Sequence, residues 1–170
     1  MRSIQNLVQI SLNEYLSPGD VAIDAIIRHG DITRFLVSRV GDTGKVLSFS
    51  DSKSEIDDVA ASLFLSGLNE RVDLISKGFT NIPAYLDPTE PIGAAIFQLD
   101  EQSIVTDVQT VIKSLLMVLK TDGLLCLLSE DSDSLLAIKS YLAKLPDTSY
   151  SVSYYQDVLT QSSALVVQRH

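Results

Sequence analysis

The chain has 170 residues, 45% of them hydrophobic, and its 13 Lys and Arg are outnumbered by 22 Asp and Glu, for a formal charge of −9. That length suits one ordinary domain, able to bury roughly two thirds of its unfolded surface without covalent staples. The composition excludes a disordered chain, and the charge argues against a stand-alone nucleic-acid clamp, which needs a basic face.

Leu7, Val8, Ile10, Leu12, Tyr15 and Leu16 predict an amphipathic first helix, stopped by Ser17-Pro18-Gly19-Asp20. The apolar run Val21 to Ile27 reads as a buried strand. A helix follows from about Asp31 to Val40, with Phe35, Leu36 and Val40 on its inner side. Gly41-Asp42-Thr43-Gly44 makes a turn, and Lys45 to Phe49 a second strand. Ser54 to Leu68 is the next helix, with Ile56, Val59, Ala60, Leu63 and Phe64 as its core stripe. Val72 to Ile75 and Ile92 to Leu99 are strands three and four. Ile104, Val108, Val111, Ile112, Leu115 and Leu119 mark a long helix. Leu124 to Leu128 is strand five, and Asp131 to Lys144 a helix stopped at Leu145-Pro146. Two strands, about Ser149–Val158 and Ala164–Gln168, close the chain.

Strands and helices alternate, and continuous apolar strands belong to a parallel sheet covered on both faces. The last two strands have no helix between them and should pair antiparallel. The expected fold class is therefore α/β, Rossmann-like, with residues 1–170 as a single domain. Ligands of such sheets bind outside the carboxyl ends of the strands, at the switch point beside strand one. The lone cysteine, Cys126, lies in an apolar run and reads as a buried structural thiol. No intrachain disulfide can form, which points to a reducing, cytoplasmic setting. No apolar run approaches the ~20 residues of a membrane span. The densest basic stretch is Arg28, Arg34, Arg39 and Lys45, either one small basic patch or solvated charges.

Gly19-Asp20-Val21-Ala22-Ile23-Asp24-Ala25 resembles the opening of the YtqB-like family of class I S-adenosylmethionine-dependent methyltransferases. Its pattern runs Gly-Asp-x-x-x-Asp-Ala-Thr-x-Gly-Asn-Gly-x-Asp-Thr. Further pieces in register are Glu70 to Ile75, Asn81-Ile82-Pro83, Ala94 to Phe97 and Asp122 to Leu125. The resemblance implies a seven-stranded, mostly parallel sheet with a C-terminal antiparallel strand. It implies S-adenosylmethionine as cofactor and the aminomethyl group of a tRNA wobble uridine as substrate.

Carried over residue by residue, the resemblance places Asp24, Gly30, Thr33, Asp51 and Gly78 at the cofactor and Gln98 at the substrate amine. The chain departs from the pattern at each station. Ile26 replaces the threonine, Arg28 a glycine, His29 the asparagine and Ile32 an aspartate. The acid after strand two arrives one place late, as Asp51 behind Ser50, and can instead cap the next helix. Lys77 stands where an acid near the adenine is expected, and it cannot accept the amino group's hydrogen bond. The loop after strand four, Gln98-Leu99-Asp100-Glu101-Gln102-Ser103, lacks five residues of the family's loop, and with them its tyrosine, proline and glycines. Asp100 and Glu101 read as bases or as helix-dipole partners. Ser129-Glu130-Asp131-Ser132-Asp133 reads as a solvated helix cap or as an acidic patch that would repel tRNA. His29 has no second histidine or cysteine beside it, so no metal is expected.

These departures predict a methyltransferase-like protein with weakened or lost catalysis. The alternatives are a non-catalytic binding or dimerisation module, with a homodimer as the simplest assembly, and a binder of another small molecule in the same crevice.

Overall fold

The computed structural model describes residues 3–170. Its helices are α1 (Ile4–Tyr15), α2 (Asp31–Val40), α3 (Lys53–Leu65), α4 (Val105–Val118) and α5 (Asp133–Leu142). Its strands are β1 (Val21–Asp24), β2 (Lys45–Phe49), β3 (Val72–Ile75), β4 (Ile92–Leu99), β5 (Leu119–Ser129), β6 (Tyr150–Gln156) and β7 (Ser163–Arg169). They form one sheet in the order β3-β2-β1-β4-β5-β7-β6. The ladders from β3 to β5 are parallel, and β7 runs antiparallel to both β5 and β6. The expected α/β sheet with its antiparallel C-terminal strand is therefore present.

Two apolar layers cover the sheet. On one face α1, α2 and α3 contribute Val8, Leu12, Leu36, Val37, Val59 and Leu63. On the other, α4 and α5 contribute Val108, Ile112, Leu115, Leu135 and Ile138 over Phe49 and Phe97. Alternate residues of β4 feed opposite layers, Ala95 and Phe97 one way and Ala94 and Ile96 the other, as strand geometry demands. Cys126 is fully buried, and burial pushes its thiol up to about 12, so it stays protonated and inert. Among the described residues no helix is long and apolar enough to cross a membrane.

Several boundaries and faces differ from expectation. β1 ends at Asp24 instead of Ile27, but the amides of Ala25 and Ile27 still bond to Ile96 and Phe49. α3 stops at Leu65 because Gly67, at φ +71°, lets Leu68 N–H reach Leu63 C=O and Gly67 N–H reach Phe64 C=O. That is a Schellman stop. Phe64 is 71% exposed and not in the core. It lies on the last turn beside β3, an edge strand with too little surface to cover it. Ile10 and Ile104 are exposed as well. The 3-10 segment Phe79–Tyr85 went unforeseen because a run so short, with Pro83 inside it, carries no helical period.

Gly93 in β4 leaves room for a neighbour's charge. A Cβ there would fall 2.5 Å from Asp20 Oδ2, and Asp20 holds Lys120 Nζ and the Ser17 amide. Gly93→Ala is expected to cost about 1–3 kcal/mol by overpacking. Urea denaturation checks this: an unchanged midpoint would show that Asp20 moves aside freely.

Candidate functional site

The centre of the crest, the edge of the sheet formed by the carboxyl ends of its parallel strands, is set by register. Asp24 at the end of β1 lies level with Ser48 on β2 and Ile96 on β4. Thr33, from the first turn of α2, donates to Asp24 Oδ2 at 2.7 Å and shares a 2.8 Å hydrogen bond with Ser48 Oγ. Asp24 is 1% exposed, and its Oδ1 accepts no well-formed hydrogen bond. Burial pushes its carboxyl up to about 6. The Thr33 hydroxyl, the nearby Ile26 amide and the Arg28 guanidinium favour the charged form, while the Glu55 carboxylate adds an upward push.

The turn after β1 is tight and filled. Gly30 has φ +83°, and a Cβ there would lie 3.0 Å from both Arg34 Nη1 and Val59 Cγ2. Glycine adopts this start to α2 without strain, whereas a side chain would be strained there. Ile26 packs half-buried against the core. Arg28 reaches across to the end of β4, donating to the Gln98 carbonyl at 2.7 Å and to Asp100 Oδ2 at 2.9 Å. Asp100 is thus Arg28's partner and caps its own turn through Gln102 N–H and Ser103 Oγ. It is not a dipole partner for α4, whose first residue is Val105. Although burial alone would raise the Asp100 carboxyl, the bond and charge of Arg28 hold it below its usual value.

At the ends of β2 and β3, Asp51 is exposed, and its Oδ2 would lie 3.9 Å from a Cβ on Gly78. Asp51 does not cap α3; Ser52 does, accepting from Glu55 N–H. Ser50, buried at the position where the family pattern has its acid, donates to Glu55 Oε1 at 2.7 Å. Glu55 was missed in the sequence, although Ser52-Lys53-Ser54-Glu55 has the spacing of a capping box. Its side chain turns to Ser50 and toward Asp24 instead of closing that box. Lys77 lies over the Tyr85 ring, 5.7 Å from its centroid.

A cleft of about 910 Å³ opens on the other side of Arg28, over the ends of β4, β5 and β7. Arg28, His29, Gln98 and Asp100 line it, facing Ser129, Glu130 and Ser163. The predicted site residues therefore separate. Gln98 faces the cleft, Asp24 and Thr33 are buried together, Gly30 is packed, and Asp51 and Gly78 adjoin each other on the far side. The basic stretch forms no patch. Arg28 binds Asp100, Arg34 binds Asp31, Arg39 caps the carbonyls of Asn13 and Leu16, and Lys45 binds Asp73.

The orphaned Asp24 Oδ1 and the Asp51 carboxylate beside Gly78 are polar groups suited to a nucleoside cofactor such as S-adenosylmethionine. Arg28 is not. Its guanidinium crosses the switch point and takes the acceptors of the β4 end, so the residues as placed do not fit the whole cofactor.

The sequence profile of the family described as putative rRNA methylase matches residues 46–168. The fold is similar to that of a putative rRNA-methylase from Clostridium thermocellum, with TM-score 0.90 and 19% identity over 100% of this chain and 99% of that one. It is also similar to a putative methyltransferase from Streptococcus mutans in complex with SAH, with TM-score 0.88 and 23% identity over 100% and 99%. An rRNA methylase from Streptococcus thermophilus superimposes with TM-score 0.85 and 23% identity over 99% and 98%.

Asp24 yields a pH-dependent stability. Its carboxyl value is raised from 3.8 to about 6 on folding, so the folded chain binds this proton more tightly. Its contribution is fully present below 3.8 and is lost as pH rises through 6. Asp24→Asn should therefore leave stability near wild type at low pH and exceed it at pH 7, by up to about 3 kcal/mol. Denaturant midpoints of both proteins across that range test it; a gain independent of pH would mean that the carboxylate is not the cause.

Proposed function

Because the chain belongs to the putative rRNA methylase family, we propose that it is a methyltransferase-like protein whose S-adenosylmethionine crevice is occupied by its own Arg28. The family's reaction on tRNA is thereby weakened or lost. The observation that carries this reading is the pair of bonds from Arg28 to the Gln98 carbonyl and Asp100. They tie the β1 turn to the β4 loop across the switch point, where ligands of such sheets sit.

Magnitude separates weakened from lost. The Arg28–Asp100 pair is a third or more exposed on both sides, at 33% and 40%, and such pairs contribute only ~0–1 kcal/mol. The charged bond to the Gln98 carbonyl adds about 1.5–3 kcal/mol at most. A ligand that must displace both loses about ten- to a thousandfold in affinity. Cofactor binding is thus reduced in degree, and Asp24, Gly30, Thr33, Asp51 and Gly78 are the groups that would receive it.

A second observation favours retained binding. Asp24 is kept as a buried carboxylate at a cost to stability, which is how functional sites commonly look. In that reading Gln98 positions a substrate amine through its amide. Against tRNA as that substrate stand the net charge of −9 and the absence, among the described residues, of any basic cluster free of carboxylate or carbonyl partners on the 28–45 stretch. Where catalysis is lost altogether, the protein acts through binding, to itself or to a protein partner.

Thermal melting with S-adenosylhomocysteine tests the proposal. Ligand at 100 times its dissociation constant adds about 2.7 kcal/mol. Arg28→Gly is expected to bind about tenfold or more tightly than wild type. Equal affinity would reject Arg28 as the obstruction. No shift at millimolar ligand in either protein would reject the cofactor site itself.

A further inference from the structure

The large cleft is acidic in a way that the methyltransferase reading does not use. Five carboxylates line it, from three separate turns: Asp31 after β1, Asp100 and Glu101 after β4, and Glu130 and Asp131 after β5. The basic groups facing them are Arg28, already committed to Asp100, and the exposed His29. Asp31 is taken by Arg34. Among the described residues Glu101 and Glu130 have no counter-ion, and both are exposed at the rim.

A second observation is independent of these acids. Ser163, the first residue of β7, is fully buried, lines the cleft, and its Oγ has no hydrogen-bond partner among the described residues. An unpaired hydroxyl in that position costs about 1–3 kcal/mol unless something bonds to it. Its neighbour across the ladder, Ser129, cannot help, because its own hydroxyl is used by the Asp131 backbone. A ligand N–H at the cleft floor would satisfy Ser163.

Charge and shape select the ligand class. A volume of about 910 Å³ admits an organic molecule, near the upper end of small-ligand sites. The carboxylates are spread over three turns, and no three His, Cys, Asp or Glu side chains among the described residues converge as a metal site requires. Negative groups on three separate turns around one cleft suit separated positive groups on one flexible chain. The N-terminus of α1 also borders the cleft and would favour an anion, but Ser3 already caps it through Asn6 N–H, and the carboxylates outnumber it.

We propose that this cleft binds a small linear polyamine, with its ammonium groups paired to Glu101 and Glu130 at the rim and one N–H donated to Ser163 Oγ at the floor. The site goes beyond the methyltransferase reading and holds whether or not S-adenosylmethionine binds.

Titration of the whole chain with spermidine, at fixed ionic strength and without cofactor, tests it. Spermidine is expected to raise the melting temperature and to give saturable calorimetric heat, where magnesium chloride at equal ionic strength does neither. The double variant Glu101→Gln/Glu130→Gln should fold normally and bind about tenfold more weakly. Ser163→Ala should weaken binding while leaving the unliganded melting temperature unchanged or higher, since it removes a buried unpaired hydroxyl. An equal response to magnesium, or wild-type affinity in either variant, overturns the proposal. Because no cofactor is present, that failure is distinct from a failure of the Arg28 reading.

Discussion

β1 is the strand on which the arrangement of the crest depends. It lies between β2 and β4, and its last three residues are buried on both faces. Its short ladder ends at Asp24, level with Ser48 and Ile96, and Thr33 pins that carboxylate from α2. The chain must then turn within six residues to start α2 at Gly30, whose left-handed backbone would strain any side chain placed against Val59 and Arg34. Everything nearby is constrained by this turn. Ile26 packs inward, Ile27 N–H keeps a bond to β2, and Arg28 is thrown toward β4.

Arg28 then divides the crest into two regions of different character. On the β2–β3 side Asp51 and Gly78 adjoin an open, polar edge. On the β4–β7 side lies the acidic cleft. One guanidinium can do this because its planar fork serves a carbonyl and a carboxylate at once. A lysine, with a single point charge, would not span both with the same geometry. The bridge is about a third exposed, so the two regions are separated by a free-energy step of at most about 4 kcal/mol and not by a wall of packed core.

Two of the buried polar atoms left without a partner among the described residues, Asp24 Oδ1 and Ser163 Oγ, lie near this boundary; a third, Arg39 Nε, lies away from it beside α1. Asp24 is buried with a poorly satisfied oxygen, and Ser163 is buried with a hydroxyl that has no partner among the described residues. Both lie at strand ends and not in the middle of the two apolar layers, where such groups would have no route to a ligand. Marginal stability makes such costs significant, and both groups sit at the carboxyl edge of the sheet, where ligands of such folds bind.

The sequence by itself determined the layers. Alternating apolar runs and 3.6-residue stripes set the helices, the buried strands and the final antiparallel pair, because burial on one or two faces leaves a period in the chain. It also determined that the Asp24 turn was irregular, since Ile26 and Arg28 stand where the resembling family has a threonine and a glycine. Short-range patterns did less well at edges: Phe64 matched a helical stripe, but β3 lies at the sheet's margin and offered nothing to cover it. Only the tertiary structure decided which groups meet. Arg28 and Asp100 are 72 residues apart, and Thr33 reaches Asp24 across a turn. Glu55 left its capping box for Ser50, and Ser163 was placed beside acids from three turns. Such contacts have no period and no local spacing. They follow from strand order, which brings the ends of distant segments to one edge of the sheet.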